Sequence, residues 1–520
     1  MTKTISCQDL AALMASDGLF AVFDVRERGE YNQRQIPNTT SLPRSQIEFR
    51  IAELVPNRNI RIVLYEDDGR RAELAAKTFG ELGYRQVSIL HGGLGAWQEE
   101  GRATVSGVNV PSKAFGEIVH HDRNVPDLSA DELKKLIDRS EDLMIIDVRT
   151  PEEYGRFCIP GGLNVPGGDL VLWAAELRQK PTVVVNCAGR TRSIIGTASL
   201  RRLGLTNVRA LRNGTMGWLL AGFQLETKPA RRGPVAPLDS KARAAAAALR
   251  IAEEEKIASL SVDEIHRGTN PDLDGVRYLI DVRSEEEFSS AHLAGSINVP
   301  GGQAVQRADD FVPVRNGQIV FISNESARAT MAAYWYRQME FKNVFILQGG
   351  LNQWKVNGGP LVTGATVMEP LGFDSAKKSA RFVDAVNLQA QIDNGSSLVL
   401  DVGTSLEYES AHLPGAKWIS RGWIDIKLPE LIADRASQIV LTCLDGRQSI
   451  LAARQLTEIG YTNVVVLEGG VRGWMRANQP IESGFSSCLV AANDVVLSPS
   501  IRGSKEDMQR YLDWELKLKS

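Results

Sequence analysis

Cysteine is scarce in this 520-residue chain. The five thiols, Cys7, Cys158, Cys187, Cys443 and Cys488, are odd in number and widely scattered, which argues against a disulfide framework and predicts reduced thiols. Histidine is also sparse, with six residues and neither a CxxC nor an HExxH motif, so no metal site and no cofactor are expected. Long apolar runs are missing: no stretch of about 18 apolar residues occurs, and MTKTISCQDLAALMASDGLF lacks the continuous apolar core of a signal peptide. A cytoplasmic protein with no membrane contact is therefore expected. Nor does one sign of charge dominate, since 60 Lys and Arg oppose 63 Asp and Glu, and nucleic acid is not an expected partner.

What is present is repetition. A strand-like run ending in Asp-Val recurs as VFDVRE at Asp24, IIDVRT at Asp147, LIDVRS at Asp281 and VLDVGT at Asp401. Each is followed by a glycine turn closed by tryptophan, HGGLGAW to Trp97, RNGTMGW to Trp218, QGGLNQW to Trp354 and EGGVRGW to Trp474. The Asp-to-Trp separations are 73, 71, 73 and 73 residues, so the chain contains four copies of one unit. Between the markers, short apolar runs such as RIVLY, TVVVN, QIVFI and QIVLT alternate with helical stretches. That pattern predicts βαβ units around a parallel sheet buried on both faces, hence four α/β domains.

The boundaries expected are 1–105, 122–228, 257–364 and 376–484, with a tail over 485–520. Successive tryptophans lie 121, 136 and 120 residues apart. The wide interval holds KPARRGPVAPLDSKARAAAAALRIAEEEKIASL, read as a linker followed by a helix that divides the chain into a first and a second pair. In the tail, Ser504 and Asp507 form a capping-box pattern ahead of Tyr511, Leu512, Trp514, Leu516 and Leu518, which predicts a helix docked on the last domain.

Thirty-one residues before each tryptophan lies the same loop, Glu66 to Arg71, Cys187 to Arg192, Ser323 to Arg328 and Cys443 to Gln448. A loop curling at the end of a parallel strand turns backbone N–H groups inward, and the next helix adds the positive end of its dipole. A thiolate at the first position should be stabilised, with a pKa below the free value of about 8.5. In copy two, Arg190 and Arg192 add cationic charge. The loop Cys187, Ala188, Gly189, Arg190, Thr191, Arg192 is the best-equipped of the four. Cys443 is the second candidate, with Arg447 beside it but Asp445 near and Gln448 in place of the last arginine.

These loops, in register with Asp-Val and Gly-Trp, resemble the rhodanese family of sulfurtransferases. The resemblance spans nearly the whole chain apart from linkers and tail, and implies a catalytic cysteine at Cys187 and at Cys443. It also implies an anionic small-molecule donor such as thiosulfate and a cysteine persulfide held by the loop. The acceptor would be cyanide, a thiol or a protein. Tandem members pair an inactive with an active domain, and copies one and three, whose loops lack a thiol, suggest that arrangement twice over.

Two rivals stand beside this reading. The first is an arsenate reductase or phosphatase on the same fold; rhodanese-like phosphatases enclose five residues between cysteine and arginine, whereas Cys187 and Arg192 enclose four, which favours sulfur over phosphate. A scaffold or sulfur-carrier role is the other, supported by Glu66 and Ser323 at the nucleophile position. Cys158, Cys7 and Cys488 read as structural or incidental thiols. The Asp-Val-Arg pairs read as salt bridges, and the tryptophans as core.

Overall fold

Four five-stranded sheets recur along the chain in a computed structural model that describes residues 3–233, 235–267, 275–364, 369–395, 397–485 and 487–518. Pro234 of the expected linker and residues 519 and 520 of the tail lie outside these. In copy two the strand order in space is Asp127–Leu128, Val208–Leu211, Thr182–Asn186, Leu143–Asp147 and Leu163–Asn164, all parallel. The same order repeats in the other copies, with Arg61–Tyr65, Gln318–Ile322 and Ile439–Thr442 as the middle strands. Each middle strand is a β-branched or aliphatic run because helices cover both sheet faces. Val183, Val184 and Val185 are fully buried, and each such side chain contributes roughly 1.5–3 kcal/mol on burial.

The tryptophan that closes each copy packs behind its sheet, and its indole N–H donates to a carbonyl six residues on. The acceptors are Ala103, Gln224, Pro360 and Pro480, at 2.7–3.0 Å. A buried Trp needs such a partner, which fixes the return of the chain after each Gly-Trp helix. The Asp-Val-Arg motifs are buried ion pairs, with Arg26 on Asp24, Arg149 on Asp147 and Arg283 on Asp281, each at 2.7 Å.

The chain forms two compact units, and their composition corrects the expected pairing of sequence neighbours. One unit holds copies one and four, the other copies two and three together with residues 497–520. Each unit still joins a copy whose loop lacks a thiol to one whose loop carries a cysteine. Within the second unit the Leu238–Glu254 helix, expected to separate pairs, packs on both the Ser326–Gln338 helix of copy three and residues 170–177 of copy two. Its Ala244, Ala247, Ala248 and Ile251 are buried there. Close backbone approach of Gly167 and Gly168 to Gly301 and Gly302, and a Trp335 Nε1–H bond to Ser199 Oγ at 2.9 Å, complete that joint. Within the first unit, Arg44 pairs with Asp425 at 2.7 Å and Arg421 with Glu48 at 2.5 Å.

The tail helix forms over Lys505–Lys517 with its capping box at Ser504 and Asp507. It docks on copy two rather than on the last domain. Met508 and Leu512 pack with Met216, because the apolar side of the helix matches the face exposed by the Gly214–Leu220 helix.

Candidate active site

In every copy the six-residue loop leaves the end of the middle strand and enters a helix, Arg70–Glu81, Thr191–Arg202, Ser326–Gln338 or Arg447–Glu458. The glycine motif clamps it. The residue after the second motif glycine of copy four donates its N–H to the loop's first carbonyl, Val471 to Cys443 O at 2.9 Å, and Thr215 does the same to Cys187 O at 2.9 Å. A Cβ on Gly470 would lie 2.2 Å from Cys443 O, and one on Gly214 2.2 Å from Cys187 O. Both glycines also have φ near +55° to +59°, so the position admits only glycine, and the 31-residue interval is a contact distance.

Copy one shows what the loop holds. Glu66 stands at the first position, and its carboxylate accepts the Arg71 backbone N–H at 2.6 Å and Arg71 Nε–H at 2.8 Å. In copy three, Arg328 Nε–H donates to Ser323 Oγ at 3.1 Å. The sixth-position arginine thus aims Nε at the first-position side chain, while its other nitrogens hold the capping-box glutamate of the helix after Asp-Val-Arg. Those glutamates are Glu30, Glu153 and Glu287.

In copy two the fork onto Glu153 is intact at 2.6 and 2.8 Å. Arg192 Nε is buried without a hydrogen-bond partner among the described residues, with Cys187 at the first position. A buried N–H without a partner beside a thiol leaves one donor of that guanidinium unused by the protein. Burial works against ionisation of Glu153, but Arg192 outweighs it and holds that carboxyl down to about 2.

Arg190 does not join the sulfur. It turns to the Val110–Asp122 helix, where Nε and Nη2 bond the Glu117 carboxylate at 2.6 and 2.8 Å and Nη1 reaches Asn213. Thr191 Oγ1 donates to Glu515 Oε1 on the tail helix at 2.8 Å, and Ala188 and Gly189 lie beneath Met216 and that helix.

In copy four the fourth loop position is Gly446, whose φ of +93° curls the loop and points its N–H at Cys443 Sγ, 3.2 Å away. Ser449 Oγ lies 3.6 Å from the same sulfur, as Ser193 Oγ does from Cys187. Copy two has Arg190 at that position with φ of −121°, and no equivalent amide contact. Arg447 is taken by Asp445 at 2.7 Å. Of the amide contacts expected around both thiols, the one from Gly446 therefore forms at Cys443, while the charge of Arg192 acts on Cys187.

A family model described as the Rhodanese-like domain matches residues 6–100, 129–221, 262–357 and 384–477. The chain belongs to the rhodanese family of sulfurtransferases. The crystal structure of thiosulfate sulfurtransferase from Pseudomonas aeruginosa is similar to it with a TM-score of 0.92 and 36% identity, covering 99% of this chain and 97% of that one. Thiosulfate sulfurtransferase GlpE of Haemophilus influenzae is 32% identical over 89 residues, 17% of this chain and 83% of GlpE. YrkF of Bacillus subtilis is 32% identical over 107 residues, 20% of this chain and 57% of YrkF.

The rhodanese loops differ from expectation in their acidity. Burial pushes the Cys187 thiol up, against the pull of Arg192 and Ser193, and Glu515 adds to the rise. Burial pushes Cys443 up to about 11, with Ser449 opposing and Asp401 and Asp445 reinforcing. Neither thiol falls below its free value, because both are nearly sealed from water and the loop's dipoles recover only part of the lost hydration.

Several contacts at these sites carry no local sequence signal. Arg421 is buried beside the Cys443 loop, donating to Gln448 Oε1 at 2.5 Å and to the Ser45 carbonyl and Glu48 of copy one. Gln448 itself donates to Ser45 O, so copy one faces its partner's loop. Glu117, Tyr511 and Glu515 reach the Cys187 loop from distant segments; the tail's aromatic pattern marked a docking helix without its target. Cys158 sits in a two-stranded ribbon against Glu226 and Arg231, where His292 of copy three and His412 of copy four stack on aromatic rings, a structural position. Among the described residues no cluster of His, Cys, Asp or Glu is placed to hold a metal ion, and no helix is long and apolar enough to cross a membrane.

Proposed function

We propose that this rhodanese moves sulfane sulfur from thiosulfate, or a related anionic donor, to cyanide or a thiol acceptor through persulfides on Cys187 and Cys443. The observation that carries the reading is the copy-one loop, which cradles a carboxylate of its own at the position that a thiol occupies in copies two and four. A loop that holds one anion by a backbone amide and an arginine suits a thiolate, a persulfide or a bound donor equally. The similarity to the Pseudomonas aeruginosa thiosulfate sulfurtransferase over 99% of the chain supports the same chemistry.

The thiol first gives its proton to water, and the thiolate attacks the outer sulfur of thiosulfate. The sulfur–sulfur bond of the donor breaks, and sulfite leaves with the electron pair. The new cysteine persulfide carries the negative charge, which in this reading the Gly446 N–H stabilises at Cys443 and Arg192 Nε at Cys187. The acceptor then attacks the terminal sulfur, the persulfide bond breaks, and the cysteine thiolate is regenerated. This two-step covalent route requires ping-pong kinetics.

The test is mass spectrometry of the protein after thiosulfate treatment, with sulfite and thiocyanate assayed in parallel. One added sulfur on Cys187 or Cys443, removed by cyanide, is expected. Phosphate release from an aryl phosphate with no sulfur transfer would overturn the reading.

A further inference from the structure

We propose that the Lys505–Lys517 helix is a lid on the Cys187 site, and that Glu515 on it excludes anionic donors from that site while the lid is closed. The helix lies directly over the loop. Met508 and Leu512 pack against Met216, whose own N–H donates to the Ala188 carbonyl of the loop. A Cβ placed on Gly189 would lie 3.6 Å from the Tyr511 ring and 3.2 Å from Glu515 Oε2.

Two polar atoms at the closed site are buried without hydrogen-bond partners among the described residues. Glu515 Oε1 takes the Thr191 hydroxyl, but Oε2 is buried without a hydrogen-bond partner among the described residues. Arg192 Nε, on the same loop, is likewise buried and unpartnered.

The lid is held by a modest set of contacts that can be released together. Besides Met508, Leu512 and the Thr191 bond, the Lys113 ammonium lies 5.0 Å from the Tyr511 ring centre and 4.9 Å from that of Trp514. A cleft of about 650 Å³ lined by His120, Arg190, Arg212, Asn213 and Leu516 opens at the end of the helix. Its Arg190 and Arg212 are paired with Glu117 and Asp127 on the same lining, which leaves Glu515, next to Leu516, as a further acidic group acting on the sulfur. Closed, the site holds Cys187, or a persulfide on it, away from stray nucleophiles; open, Arg192 is freed to receive a donor. The proposal rests on the persulfide reading for its purpose but not for its test.

The test is site-resolved alkylation of the full chain, comparing neutral iodoacetamide with anionic iodoacetate at Cys187 and Cys443. Leu512→Lys and deletion of residues 504–520 should each speed Cys187 alkylation by iodoacetamide by about tenfold or more, because a sealed thiol reacts only through opening. The Cys443 rate should stay unchanged, and retained exchange protection of residues 182–186 in copy two reports that the fold around Cys187 survives. Glu515→Gln should raise the iodoacetate-to-iodoacetamide rate ratio at Cys187 by about fivefold, the effect of removing one nearby charge. Unchanged Cys187 rates in both lid variants would overturn the lid, and an unchanged ratio would overturn the charge filter. Thiosulfate treatment of the opened variants separates the readings, since faster alkylation without added sulfur on either cysteine would sink the persulfide chemistry and leave the lid standing.

Discussion

Replacing Gly470 by alanine tests why the glycine motif and the thiol loop keep a fixed interval. At φ of +59°, alanine incurs a left-handed strain of about 1–2 kcal/mol. Its Cβ would also lie 2.2 Å from Cys443 O, 2.8 Å from Gly446 N and 3.1 Å from Asp445 N, all backbone atoms that cannot rotate away. Forcing them apart adds about 1–3 kcal/mol and must shift the loop whose Gly446 N–H meets the sulfur. Gly415, in the same copy, has φ of +69° and nothing within 4 Å of a built Cβ, so Gly415→Ala carries the strain alone. The difference between the two variants isolates the overlap.

A four-domain chain does not unfold in one step, so the readout is local hydrogen exchange in peptides covering residues 439–474. Gly470→Ala should lower their opening free energy by roughly 2–5 kcal/mol, against about 1–2 for Gly415→Ala, and should reduce sulfur loading on Cys443. Gly350→Ala, whose Cβ would meet Ser323 O at 2.1 Å, should loosen copy three and leave Cys443 loading intact. Equal loss of protection and of loading in Gly470→Ala and Gly415→Ala would refute the clamp.

Three further outcomes are expected. In the lid reading, Cys443→Ser should remove most thiosulfate-dependent loading of the full chain, because the tail helix covers the Cys187 loop, and adding Leu512→Lys to that variant should restore loading at Cys187; persistent loading in Cys443→Ser alone would place the active thiol in copy two. Iodoacetamide alkylation of Cys443 should climb about tenfold per pH unit from about pH 7 to about pH 10, since a thiol pushed up to about 11 stays neutral through that range, and a plateau near pH 8 would contradict its burial. Glu66→Ala empties the copy-one cradle, so sulfate or thiosulfate should raise exchange protection around residues 61–81 in this variant and not in the parent; equal protection with and without anion would show that the loop does not bind one.

The repeat was legible because its chemistry is local and contact-fixed. Strand composition follows from burial on both sheet faces, and the glycine after each strand is demanded by a carbonyl 2.1–2.4 Å from any Cβ, so four glycines and four tryptophans hold one register. The electrostatics of the thiols were not legible in the same way. Arg190 and Arg192 stand beside Cys187 in sequence, yet their carboxylates come from 73 and 39 residues away, and the Glu515 that faces the same loop comes from 324 residues beyond Thr191. Any of 63 acidic residues could have filled those places, and only packing selects which. The pairing of copies failed for a related reason. Linker composition speaks of chain stiffness, whereas partner choice was decided by small, matched surfaces such as Gly167 and Gly168 on Gly301 and Gly302, or Arg44 on Asp425. An Ala-rich helix after a proline-rich stretch can separate two bodies or weld them, and its buried face at Ala244, Ala248 and Ile251 fits the second because it meets both copies at once.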